Sequence, residues 1–73
     1  MEELMNILSQ ILPDIDFGKE KNLVDDGLLD SVTMVNIISE IEEAFGISVS
    51  MEYIQPKYFQ SAEAIWEMIG ELQ

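Results

Sequence analysis

Cysteine, histidine and arginine are all missing from this 73-residue chain, and lysine occurs only as Lys19, Lys21 and Lys57. Each absence removes a class of chemistry. Without cysteine there is no disulfide to staple a small domain and no thiolate metal site, and the lack fits a reducing compartment. Without histidine the usual general base is gone, and the best soft nucleophile went with cysteine. A Ser–His–Asp arrangement cannot be assembled. Carboxylate pairs remain, but a chain this short has little room for a substrate cleft, so neither a catalytic site nor a metal site is expected. Long apolar runs are missing as well, so no membrane span is expected. The start, Met1-Glu2-Glu3, is acidic where a secretion signal would be basic. The expected address is cytoplasmic.

What is present in excess is negative charge. Fifteen acidic residues against three lysines leave a net charge of −12. Nucleic-acid binding requires cations that displace condensed counterions, so that class is excluded. Anionic membrane surfaces are disfavoured for the same reason. A basic protein surface is the natural partner, because opposite fields speed encounter and set orientation. The plainer role for the same charge is to keep a small protein soluble.

The apolar pattern predicts an all-α domain over residues 1–73, with three main helices, one short helix and a long first loop. Leu4, Met5, Ile7, Leu8, Ile11 and Leu12 recur at spacings of three and four, as on an amphipathic helix, and Pro13 ends it. From Asp14 to Asp30 no period holds, with Gly18, Asn22 and Gly27 as punctuation. Loops of this length inside compact domains tend to be functional, and Ile15, Phe17, Leu23, Val24, Leu28 and Leu29 predict that this one packs down onto the helices. A second helix is expected from Ser31 to Phe45, capped by Asp30 or Ser31 and stopped by Gly46. Ile47 to Ser50 alternates like a strand but has no partner strand, and reads as an extended connector. Gln55 to Phe59 reads as one short turn with Pro56 at its first position. Ser61 then caps a last helix to about Glu71, with Ala62, Ile65, Met68, Ile69 and Leu72 inward.

The second helix carries more apolar surface than a core needs. At about 100° per residue, Met34, Ile37, Ile38, Ile41, Ala44 and Phe45 share one broad face. Val32 and Val35 fall outside it, beside Asn36, Ser39, Glu42 and Glu43. Two readings are open. Val32, Val35, Glu42 and Glu43 form a docking patch, apolar contact giving affinity and the carboxylates steering a basic partner; or the long loop folds over the valines and makes them satellite core.

Asp30-Ser31 stands where the loop meets this helix. A helix N-terminus offers unpaired N–H groups and partial positive charge, which suit a phosphoester. With no histidine in the chain and no lysine nearby, Ser31 would need activation by another protein. Equally, Ser31 could serve only as a helix cap. A calcium loop around Asp25-Asp26-Gly27 fails: with Gly27 at the loop's sixth position, Val24 falls on the third and Thr33 on the twelfth, and neither replaces the required carboxylate.

Leu23-Val24-Asp25-Asp26-Gly27-Leu28-Leu29-Asp30-Ser31-Val32, followed by an acidic amphipathic helix ending Glu42-Glu43-Ala44-Phe45-Gly46-Ile47, resembles the acyl carrier protein family. The resemblance spans nearly the whole chain and implies a four-helix acyl-carrier-like bundle, acting as a monomer. It implies that a phosphopantetheinyl transferase, with magnesium and coenzyme A, joins 4′-phosphopantetheine to Ser31, with Asp30 helping to position that contact. Acyl or aminoacyl groups would then ride as thioesters, delivered by a loading ligase and consumed by a synthase or transferase with basic docking surfaces. Val32, Val35, Glu42 and Glu43 match the family's partner-recognition helix. Fatty-acid carriers usually place glycine and a small residue before Asp-Ser, and leucine after it. Here Leu28 and Leu29 precede the pair, Val32 follows, and Asn36 stands where a glutamate is common. The pattern is closer to D-alanyl carriers of teichoic-acid modification and to discrete carriers of specialised pathways. An unmodified acidic adaptor of the same fold is the alternative from another class.

A net charge of −12 on so few residues predicts self-repulsion in the compact state. Added salt or a divalent cation is expected to raise the melting temperature; a thermal melt that is unchanged by either would contradict this.

Overall fold

The computed structural model describes residues 2–73. Among them are three α-helices, α1 (Glu2–Ile11), α2 (Ser31–Phe45) and α3 (Ala62–Leu72), two single 3-10 turns at Met51–Tyr53 and Pro56–Tyr58, and no strand. The helix ends follow from local chemistry. Pro13 lies just beyond α1. Gly46, at φ 65°, stands in the left-handed region past α2, and its N–H and that of Ile47 both reach the Glu42 carbonyl at 3.0 and 3.3 Å. Ser61 opens α3 by accepting the Ala64 N–H at 3.1 Å.

α1 packs against α2 and α3. Leu4 and Leu8 from α1, Met34, Ile37, Ile38 and Ile41 from α2, and Ala62, Ile65, Met68 and Ile69 from α3 are buried together. Phe59, fully buried, plugs the gap between the second 3-10 turn and α3. The long loop completes the core with Phe17, Leu23 and Leu29, as its composition predicted. Leu28 is the exception among that loop's expected contributors and stays exposed.

Two expectations need correcting. Ala44 is exposed, because it lies at the margin of the α2 apolar face, in the last turn. Its neighbour Phe45 is half-buried and meets Trp66 of α3 edge to face, with ring centroids 5.9 Å apart. In place of one short helix there are two 3-10 turns. The second has Pro56 at its start, as anticipated. The first is held by the Tyr53 N–H on the Ser50 carbonyl at 3.0 Å and by the Gln55 amide on the Glu52 carbonyl at 2.6 Å. Three-residue turns present no periodic apolar pattern, so the sequence does not announce them.

Ile37 is fully buried at the centre of this arrangement, whereas Val35, on the same helix, is 56% exposed. Ile37→Ala is therefore expected to destabilise the domain by roughly 2–5 kcal/mol. Val35→Ala should stay within about 0.5 kcal/mol of the parent. Urea unfolding of the two variants distinguishes them, and equal losses would show that α2 packs differently.

Candidate functional site

The site begins with how α2 starts. Asp30 is extended (φ −97°, ψ 179°), and its carboxylate accepts the Thr33 N–H at 2.7 Å while its carbonyl takes the first helical bond, from Met34 N–H, at 2.9 Å. Asp30, not Ser31, is thus the cap, and Ser31 is the first helical residue. The Thr33 N–H, helped by the Thr33 hydroxyl and by weaker N–H contributions from Asp30 itself and Val32, holds the Asp30 carboxyl below its usual range against a small desolvation. Relieved of the capping role, the exposed Ser31 hydroxyl has no protein hydrogen-bond partner among the described residues.

Beside Ser31 lies an open groove of about 450 Å³. Val24 and Leu29 of the long loop form one wall, and Asp30, Ser31, Met34 and Val35 the floor at the start of α2. Ile54, between the two 3-10 turns, and Pro56, which opens the second, form the other wall. Six of these eight residues are apolar. No cation is among them. Lys19 is 4.0 Å from Asp16, Lys21 pairs with Glu63, and Lys57 lies over the Tyr58 ring at 5.0 Å from its centroid. Nothing in the groove is positively charged to lower the pKa of a serine hydroxyl, and the one carboxylate there, Asp30, is engaged with the Thr33 N–H and made a weaker base by its lowered pKa.

The long loop does not fold over the two valines: Val32 is 70% and Val35 56% exposed. The four residues read as one patch divide into two groups. Val32 and Val35 flank Ser31 in the first two turns. Glu42 and Glu43 sit about 15 Å along the axis from Val32 and about 11 Å from Val35. Glu43 is exposed, while Glu42 is half-buried and its carboxylate accepts the Val49 N–H at 2.8 Å, tying down the connector after α2. Among the described residues no group of three or more acidic side chains is arranged to hold a metal ion.

Other residues at the site were not visible in advance. Ile54, which lines the groove, is 40% exposed; it lies between the two 3-10 turns, where no period marks an outward face. Gln60, between the second turn and α3, binds the long loop through three hydrogen bonds: the Leu23 N–H to its main-chain carbonyl at 2.9 Å, and the Val24 and Asp25 N–H groups to its side-chain oxygen at 3.1 and 3.3 Å.

Residues 2–55, well over half the chain, match the family model described as phosphopantetheine attachment site. No curated protein matches the chain significantly.

The Asp30 cap makes a pH-dependent contribution whose sign follows from its lowered pKa. Its stabilisation is present above the unfolded carboxyl's value and is lost as pH falls through the lower folded one. Asp30→Ala should be less stable than the parent at neutral pH, and the gap should narrow as acid protonates the parent's carboxyl. Urea midpoints measured from pH 7 downward test this, and a gap independent of pH would sink it.

Proposed function

The chain belongs to the phosphopantetheine attachment site family, and from that membership we propose that Ser31 is the residue to which the arm is joined. Proteins of this family are carriers rather than enzymes; they bear a covalent 4′-phosphopantetheine and are served by a phosphopantetheinyl transferase and by partner enzymes. The observation that carries the assignment is the exposed, unengaged Ser31 hydroxyl at the first helical position of α2, opening on an apolar groove.

The residues fit such a group. The Ser31 oxygen would displace the nucleotide half of coenzyme A at phosphorus, and its proton would leave to a base of the transferase, because no histidine or lysine lines the groove and the Asp30 carboxylate is engaged with the Thr33 N–H. The helix start favours the resulting phosphodiester electrostatically, and Ser31 aims it outward, since the Asp30 carboxylate already occupies the Thr33 N–H. Val24, Leu29, Met34 and Ile54 offer apolar walls alongside. When attached, the arm's terminal thiol supplies the nucleophile that the chain lacks, carrying acyl or aminoacyl groups as thioesters.

Partner enzymes would read the exposed Val32 and Val35 by apolar contact, and Glu43 by charge at the far end of α2. Glu42 contributes its field to the same end, though its carboxylate also serves the fold. The first nine residues of α2, Ser31 to Ser39, carry no charged side chain, so recognition next to the attachment point would rest on shape and apolar area. Together with Leu28-Leu29 before Asp30-Ser31, this favours a specialised or aminoacyl pathway, D-alanyl transfer among them, over housekeeping fatty-acid synthesis.

The test is an intact mass after incubation with coenzyme A, magnesium and a broad-specificity phosphopantetheinyl transferase, beside a Ser31→Ala control. One added phosphopantetheine on the parent and none on the control is the expected result. Addition to the control would move the site elsewhere. A folded parent that is never modified, by this or other transferases, would favour the unmodified acidic adaptor.

A further inference from the structure

The segment before α2 is a closed structural unit rather than a free loop. The Asp26 N–H bonds to the Asn22 carbonyl at 2.8 Å, Gly27 N–H to Val24 at 3.0 Å, and Leu28 N–H to Leu23 at 2.9 Å. With Gly27 at φ 76°, this is one helical turn ended by a Schellman closure, in which the left-handed glycine lets two N–H groups return to carbonyls of the turn. Leu29 N–H also returns to Leu23, at 3.0 Å, and the next residues are Asp30 and Ser31. A turn so built has unpaired N–H groups at its start. Here they belong to Leu23, Val24 and Asp25, and Gln60 accepts all three.

We propose that Gln60 is a positioning residue for the modification of Ser31: it caps the loop's helical turn from across the fold and so presets the segment that leads into Asp30-Ser31. The inference rests on Ser31 being the attachment residue. The coupling path is contiguous. Gln60 holds the turn at residues 23–25, the turn's own hydrogen bonds carry that placement to Leu29, and Leu29, buried at 3% exposure, anchors the step into the Asp30 cap. The same contacts place Val24 and Leu29 as one wall of the groove. The Lys21–Glu63 ion pair lies next to this clasp in sequence on both strands of the contact, but both its side chains are more than half exposed, where such pairs contribute little. The amide of Gln60 therefore dominates.

A transferase that meets an already ordered segment spends none of its binding energy on ordering it. Removing the clasp should weaken encounter without altering the transfer once bound, which separates KM from kcat. Gln60→Met keeps the side chain's length and deletes its acceptor; Gln60→Glu keeps the acceptor. For Gln60→Met we expect faster amide hydrogen exchange at Val24 and Asp25, with Leu23, bonded to the main chain, little changed. The KM for the carrier in transfer from coenzyme A should rise about tenfold, the worth of two modest hydrogen bonds, at nearly constant kcat. Gln60→Glu should restore both readouts. If Gln60→Met does not fold, Gln60→Asn, one methylene too short to reach, replaces it with the same expectations.

A KM within about twofold of the parent in a variant whose Val24 and Asp25 amides exchange faster would overturn the proposal. So would a loss confined to kcat, or a KM that Gln60→Glu fails to restore. Failure of the parent itself to accept the arm on Ser31 is a separate result, and refutes the site assignment rather than the clasp.

Discussion

Three short helices with no disulfide between them cannot enclose a core by themselves, and the rest of this structure follows from that shortage. A domain of this size buries too small a share of its surface to leave a nineteen-residue connection, residues 12–30, unused. Phe17, Leu23 and Leu29 are accordingly drawn into the space between the helices. Once those side chains are inside, the backbone that carries them must find partners for its polar groups. It does so by winding into a single turn and placing the turn's free N–H groups on Gln60. The loop that a carrier needs at the base of its serine is thus also structural material, and its order is inherited from the core.

Electrostatics are arranged around the same point by omission. All three lysines are engaged with Asp16, Glu63 or Tyr58, away from the groove. The helix start beside Ser31 is capped by a carboxylate whose ionisation the helix itself sustains. A serine in these surroundings has no neighbouring cation or imidazole to activate it, which suits the proposed role of a residue modified by another protein. On the proposed reading, specificity of modification would come from which protein can dock, and the exposed valines on the first two turns of α2 would share one functional surface with the Ser31 hydroxyl.

Much of this could be read from residue order. The bounds of α2, its Asp30 start and Gly46 stop, the inward faces of α1 and α3 and the packed character of the long loop all have strong local signals: caps, left-handed glycines, and apolar residues at helical spacing. The exposure of Val32 and Val35 was undecided between two readings, because helical phase tells which side a residue is on but not what a distant loop covers. Glu42 looked like a free surface carboxylate, since nothing in a linear pattern reveals a bond to Val49 N–H. Ala44 was misplaced because a phase angle does not say where the neighbouring helix ends. Gln60 left no trace at all. An amide that caps a turn thirty-five residues away is defined only by the tertiary structure.

The edge-to-face contact of Phe45 with Trp66 joins the last turn of α2 to the outer side of α3, and Trp66 is the chain's single tryptophan. Its indole is about one-third exposed, so its emission is poised between an apolar and an aqueous environment. A rearrangement that separates α2 from α3 at this end would disturb this pair of rings. The protein therefore carries its own optical gauge of helix separation, at the opposite end of α2 from Ser31 and free of interference from a second indole.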